Sequence, residues 1–150
     1  MELNSTQLLH MLKWDTYTRK DFLGIFAFDE IPHKIPYPSH FIINTDVASR
    51  PGEHWLAIHY DQKGHATFFD SYGNKPSFFR LEAFLNRSAT SWEYNSIQLQ
   101  DSFSSLCGYY CVLFLLEKCR HVTLINFQNL FKDPIYNDNM IISLLKQKKQ

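Results

Sequence analysis

Apolar and polar positions alternate in two rhythms along this chain. From Ser5 to Trp14, Leu8, Leu9, Met11 and Leu12 recur at helical spacing, with Ser5 as the candidate N-cap. Pro32, Pro36 and Pro38 then enforce an extended connector, because proline fixes φ and pushes the residue before it out of the α region. His40–Thr45 reads as a buried strand and Arg50-Pro51-Gly52 as a turn. Two further strand-like runs, His54–Tyr60 and Ala66–Asp70, are joined by Asp61-Gln62-Lys63-Gly64, which has hairpin turn chemistry.

The second half is mostly helical in pattern. Ser71–Pro76 breaks regular structure, and Ser77–Arg87 then reads as an amphipathic helix with Phe78, Leu81, Phe84 and Leu85 inward. Asn95–Gln100 reads as a short strand. Leu106–Lys118 is apolar all round, the mark of a helix buried in a core. A last helix is expected from about Asn137 or Asp138, carrying Ile141, Ile142, Leu144 and Leu145 before a basic tail, Lys146-Gln147-Lys148-Lys149. The mixed order predicts an α+β fold, and the 150 residues suit a single domain over 1–150.

Composition narrows the function classes. Hydrophobic residues make up 45% and charged residues 20%, as in globular rather than disordered chains. Lys+Arg and Asp+Glu are both 15, so no overall charge favours nucleic acid or an anionic membrane. The longest strongly apolar run, Tyr109–Leu116, is far short of the roughly 20 residues that span a bilayer. Met1–Ser5 lacks the basic and apolar stretches of a secretion signal. The three cysteines, at 107, 111 and 119, do not form the even, spread-out set of a disulfide scaffold. An intracellular, reduced, monomeric protein is the expectation, with no membrane partner.

Cys107 heads the buried helix. Amides at a helix start carry partial positive charge that favours a thiolate, and they can donate to a developing oxyanion. The competing reading is a small buried hydrophobe, as most free cysteines are. A thiol nucleophile needs a base, and the base an orienting partner. If Tyr60 pairs near Gly64 or His65, His54 falls opposite Asp70 or within one residue of it, where facing Cβ atoms lie roughly 5 Å apart. A slip of one residue would put the two on opposite faces. The competing reading of this pair is a surface charge contact. Gln100, seven residues before Cys107, ends a short strand where its amide could reach the same pocket. A zinc module from Cys107, Cys111, Cys119 and His121 is the non-enzyme alternative, although its spacing fits no common zinc pattern.

The order His54-Trp55, Asp70, Gln100, Cys107-Gly108 resembles the adenain-like cysteine proteases, the adenovirus maturation protease group whose relatives include the SUMO-deconjugating enzymes. Matching stretches are Phe22-Leu23-Gly24, Ile42-Ile43-Asn44-Thr45, Gly52-Glu53-His54-Trp55, Phe69–Gly73 and Leu106–Cys111, and the resemblance covers roughly residues 20–145. Asp70–Gly73 and Asn137-Asp138 look most like the proteases of Polinton and adintovirus-type elements.

The resemblance implies a fold with a small mixed sheet flanked by helices and a central helix starting at the nucleophile. It implies Cys107 as nucleophile, His54 as base and later acid, and Asp70 as orienting carboxylate, where adenovirus enzymes carry Glu. It implies an oxyanion hole from Gln100 and the Cys107 amide, and a Trp55 ring that packs on the imidazole. Protein or peptide substrates with glycine near the scissile bond, viral precursors among them, are implied as partners, with the host nucleus and virion as location. The adenovirus enzymes bind a peptide cofactor partly through a disulfide upstream of the nucleophile. Here no cysteine precedes Cys107, so no cofactor is expected. DNA contact is confined to the Lys-rich tail, whose other reading is a solvated helix end. A ubiquitin-like deconjugase is the nearest rival, and an acyltransferase with the same three residues a more distant one.

Overall fold

The computed structural model describes residues 3–46 and 54–148. Its sheet has five strands in the order β1(Phe22–Ala27), β2(Ser39–Asn44), β3(Trp55–Tyr60), β4(His65–Phe69) and β5(Ser91–Tyr94). The two outer pairs are parallel and the two inner pairs antiparallel. Five helices surround it: α1(Ser5–Trp14), α2(Glu82–Ser88), α3(Cys107–Lys118), α4(Leu124–Gln128) and α5(Pro134–Lys148). This is the expected α+β arrangement, with the all-apolar segment as its central helix.

Strand alternation sorts the core into two layers. Ile42, Ala57 and Phe69 face α3 and pack with Tyr110, Cys111, Phe114, Ile141 and Leu145. Phe41, Ile43, Leu56, Ile58 and Phe68 face the other way, against Leu81, Phe84 and Leu85 around α2. The nine residues of α3 that are buried include both faces of the helix, so α3 is enclosed by the sheet, α1 and α5. Among the described residues no helix is long and apolar enough to cross a membrane.

Several elements differ from expectation for identifiable reasons. Asn4 caps α1 in place of Ser5, because Asn4 and Gln7 form a reciprocal capping box. β1 is not among the expected strands: Gly24, at φ +139°, interrupts its alternation with a register shift. The helix expected over Ser77–Arg87 is split. Pro76–Phe79 is a 3₁₀ turn, Arg80 takes a left-handed conformation, and α2 starts only at Glu82. Phe78 is consequently exposed instead of inward. The strand expected over Asn95–Gln100 is irregular, and β5 lies just before it. α5 begins at Pro134, earlier than expected, since proline suits a first helical position and Asp133 accepts from the Ile135 N–H at 3.1 Å. On α5, Ile141 and Leu145 are buried while Ile142 is exposed. The Arg50–Gly52 turn lies outside the described residues.

Candidate active site

The hairpin delivers the histidine and the carboxylate. Its ladder pairs Ala57 with Phe69 and Tyr60 with Ala66, a wider turn than the expected pairing of Tyr60 near Gly64 or His65. Continued to its open end, that ladder would set His54 opposite Tyr72. Asp70 is therefore a diagonal neighbour two positions away, on the same face, and diagonal pairs are within reach of long side chains. His54 Nε2 meets Asp70 Oδ1 at 2.6 Å.

Asp70 is fully buried, and its carboxylate is held from three directions. Oδ1 also accepts from the Tyr72 N–H at 3.1 Å, and Oδ2 accepts from the Asn74 N–H at 3.0 Å. A turn through Gly73, whose N–H donates to the Asp70 carbonyl at 2.8 Å, folds those amides back onto the side chain. Gly73 sits at φ +78°, and a Cβ there would lie 2.8 Å from the Ile97 carbonyl carbon and 2.9 Å from the Gln98 nitrogen. Backbone on that side cannot yield. Gly73→Ala is therefore expected to cost about 1–3 kcal/mol of stability, read as a lowered midpoint in chemical denaturation.

Burial alone would push the His54 imidazole toward its neutral form. The hydrogen bonds and charges of Asp70 and then Cys107 outweigh it and raise its pKa from 6.5 to about 9. With Nε2 committed to Asp70, Nδ1 is the nitrogen left to face the thiol. Two rings stack on the imidazole, Tyr72 with centroids 5.1 Å apart and Phe79 at 6.1 Å. The resemblance assigned that task to Trp55. In the structure Trp55 points to the core instead: its indole N–H donates to the Leu3 carbonyl at 3.2 Å, and its ring lies 3.2 Å from where a Cβ on Gly108 would be. Strand alternation explains the difference, since consecutive residues face opposite sides of the sheet. The sequence did hold a signal for Tyr72, in its place within the Asp70–Gly73 match, but Phe79 was hidden by the helix expected there.

Cys107 opens α3 and is 9% exposed. The cap residue is Leu106, which has no side-chain acceptor to offer. The Cys107 and Gly108 N–H groups accordingly head the helix without an acceptor among the described residues. The other two cysteines are separate from this site. Cys111 is fully buried, donates to the Trp55 carbonyl at 3.3 Å, and burial pushes its thiol well up. Cys119 ends α3 beside His40, with its thiol pushed by burial up to about 12. The zinc grouping of Cys107, Cys111, Cys119 and His121 does not assemble, for no cluster of three potential ligands occurs among the described residues.

Gln100 is fully buried in the irregular segment between β5 and α3. The Leu99 and Gln100 N–H groups donate to the Ser71 carbonyl at 2.8 and 2.9 Å, tying this segment to the Asp70 turn. The Gln100 side chain accepts from Ser71 Oγ at 2.5 Å and donates to the Ser104 carbonyl and hydroxyl at 3.0 and 3.1 Å. Ser104 Oγ in turn donates to Asp138 on α5 at 3.0 Å, and the Ser104 carbonyl also accepts from the Tyr72 hydroxyl. A cleft of about 680 Å³, lined by Phe28, Thr45, His54, Tyr72, Phe79 and Arg80 among others, opens beside the histidine.

A buried Asp–His pair set against the thiol at the start of an enclosed helix is the arrangement a thiol protease uses. The protease of human adenovirus A serotype 12 is 32% identical over 89 residues, covering 49% of this chain and 43% of that protein. The resemblance to the adenain-like cysteine proteases holds. The chain spans less than half the length of this curated relative. Among solved structures, the Chlamydia trachomatis effector Cdu1 bound to ubiquitin superposes with a TM-score of 0.52 at 19% identity, over 73% of this chain and 59% of that one, which shows a shared fold. The ASFV pS273R protease matches with a TM-score of 0.42 at 24% identity, over 65% of this chain and 42% of that one. No family model matches the chain.

Proposed function

We propose that this chain is a cysteine endopeptidase working through Cys107, His54 and Asp70. The observation that carries the reading is the 2.6 Å His54–Asp70 contact beside a thiol at the uncapped start of α3. A ring that holds its proton to about pH 9 presents positive charge to the sulfur, and such charge favours a thiolate. The thiolate attacks a peptide carbonyl, the tetrahedral oxyanion is met by the Cys107 and Gly108 amides, and His54 protonates the leaving amine. Water, deprotonated by His54, then releases the acid from the thioester.

Gln100 is the further oxyanion donor in this scheme. Its N–H groups rest on Ser104, so one must swing to the oxyanion when substrate binds. Gln100→Ala is expected to lower kcat by roughly 10²–10³-fold with KM little changed, the range for one lost oxyanion donor; steady-state kinetics on a peptide substrate reads it, and an unchanged kcat removes Gln100 from the role. The direct test of the whole reading is a Gly-Gly aldehyde or vinyl-sulfone probe followed by mass mapping. The adduct belongs on Cys107; attachment at Cys111 or Cys119 overturns the assignment.

Cleavage at glycine-containing sites in viral precursors, as in virion maturation, is the substrate reading that the adenovirus likeness supports. Deconjugation of a ubiquitin-like modifier is the second reading, favoured by the fold shared with ubiquitin-bound Cdu1. Turnover of a Gly-Gly peptide set against a fluorogenic ubiquitin-like substrate separates them. Lys148 of the basic tail is paired with Glu117 at 2.5 Å, which leaves less of the tail for DNA.

A further inference from the structure

The ladder between β4 and β5 ends with Phe68 beside Tyr94. Asp70 is one residue beyond β4, buried, and its peptide groups need partners there. They come from a side chain. Asn95, one residue beyond β5 and also fully buried, accepts the Asp70 N–H on Oδ1 at 3.0 Å and donates from Nδ2 to the Asp70 carbonyl at 2.6 Å. A carboxamide presents donor and acceptor side by side in one plane, as a peptide does. Two such bonds fix both the position and the tilt of the peptide they grip. The Asp70 carbonyl also accepts the Gly73 N–H at 2.8 Å, but among the described residues the Asp70 N–H is held by Asn95, and the carboxylate is held separately, by His54 and the Tyr72 and Asn74 amides.

We propose that Asn95 is a positioning residue that clamps the Asp70 main chain and so aims its carboxylate at His54 Nε2. The proposal rests on the Cys107–His54–Asp70 reading. A displacement of about 1 Å at a catalytic group can cost roughly 10²-fold in rate, and without Asn95 the Asp70 peptide keeps only the Gly73 N–H on its carbonyl, a bond within its own turn that does not tie it to β5. Were Asn95 only satisfying a buried peptide, its loss would lower stability and leave the titration of the site alone.

Asn95→Asp separates the two. A neutral carboxyl accepts and donates as the amide does, whereas a carboxylate sets a second acceptor against the Asp70 carbonyl. In the folded variant, kcat near neutral pH is expected to fall by roughly 10²-fold with KM within about two-fold of wild type. The deficit should shrink as pH falls and the new carboxyl gains its proton, and the alkaline limb of the kcat profile should move to lower pH. Asn95→Ala should show the rate loss without recovery at low pH. Wild-type kcat and an unmoved limb in folded Asn95→Asp overturn the proposal. Should the variants not fold, amide hydrogen exchange on the intact protein decides: the Asp70 N–H should be protected like that of Phe68, and exchange as fast as an exposed turn overturns the clamp. His54→Ala and Cys107→Ala serve as controls. If they keep their turnover the triad reading itself has failed, and if they are dead beside a fully active Asn95→Asp only the clamp has.

Discussion

Cys107→Ala is expected to abolish peptide cleavage, lowering kcat by roughly 10⁵–10⁶-fold, while the protein keeps its fold. The fold should survive because the sulfur is a small group at the first position of α3, near His54, and contributes little of the enclosure of the helix. Chemistry should not survive, since the substitution leaves no nucleophile to form the thioester. Cys111 cannot stand in: it lies one turn along, sealed from solvent, with its thiol well above the ordinary range. Turnover of a Gly-Gly peptide by purified, folded variant, with near-UV circular dichroism as the check on packing, is the measurement. Activity near the wild-type level would end the assignment.

His54→Ala is expected to cost nearly as much, about 10⁴–10⁶-fold in kcat, and the double variant with Cys107→Ala hardly more, because groups acting as a unit lose their effect together. The same ring predicts the pH profile. Its pKa is raised from 6.5 to about 9, so the imidazolium persists through neutrality and kcat/KM should decline as pH rises through about 9. Asp70→Asn removes the negative charge and leaves at most a neutral hydrogen bond, so it should move that limb downward. Stability follows the same sign. A pKa raised on folding stabilises the native state fully below about 6.5, and that contribution drains away as pH climbs through about 9. Denaturant midpoints measured across that window should fall less steeply in Asp70→Asn than in wild type.

How much of this was legible in the sequence depended on whether the signal was periodic. The hairpin strands and α3 announce themselves through alternation and through an unbroken apolar run, and with them came His54, Asp70 and Cys107. Short elements punctuated by special residues did not. Gly24 disguises β1, Arg80 in a left-handed conformation splits the expected helix, and α5 starts at Pro134, ahead of the expected Asn137 or Asp138. The hairpin was read a little out of register, yet His54 and Asp70 still met, because a shift by an even number of residues keeps side chains on one face. The resting contacts of Gln100 are not legible in the sequence: whether a buried amide points to a cleft or to Ser104 depends on hydrogen bonds from Ser71 and α5, remote in sequence. The swap of Trp55 for Tyr72 and Phe79 at the imidazole has the same origin, since the side of a sheet that faces the cleft is a tertiary fact.

Gly108, the residue after Cys107, has a consequence of its own. A methyl at position 108 would come within 3.2–3.3 Å of Leu8, Trp55 and Leu3, so those side chains would have to give by a few tenths of an ångström, and the first turn of α3 packs closely against them. How far the sulfur protrudes toward a substrate is thus gauged from the rear, by residues that never meet one. Cysteine supplies the reactivity; the chocks behind it set its reach.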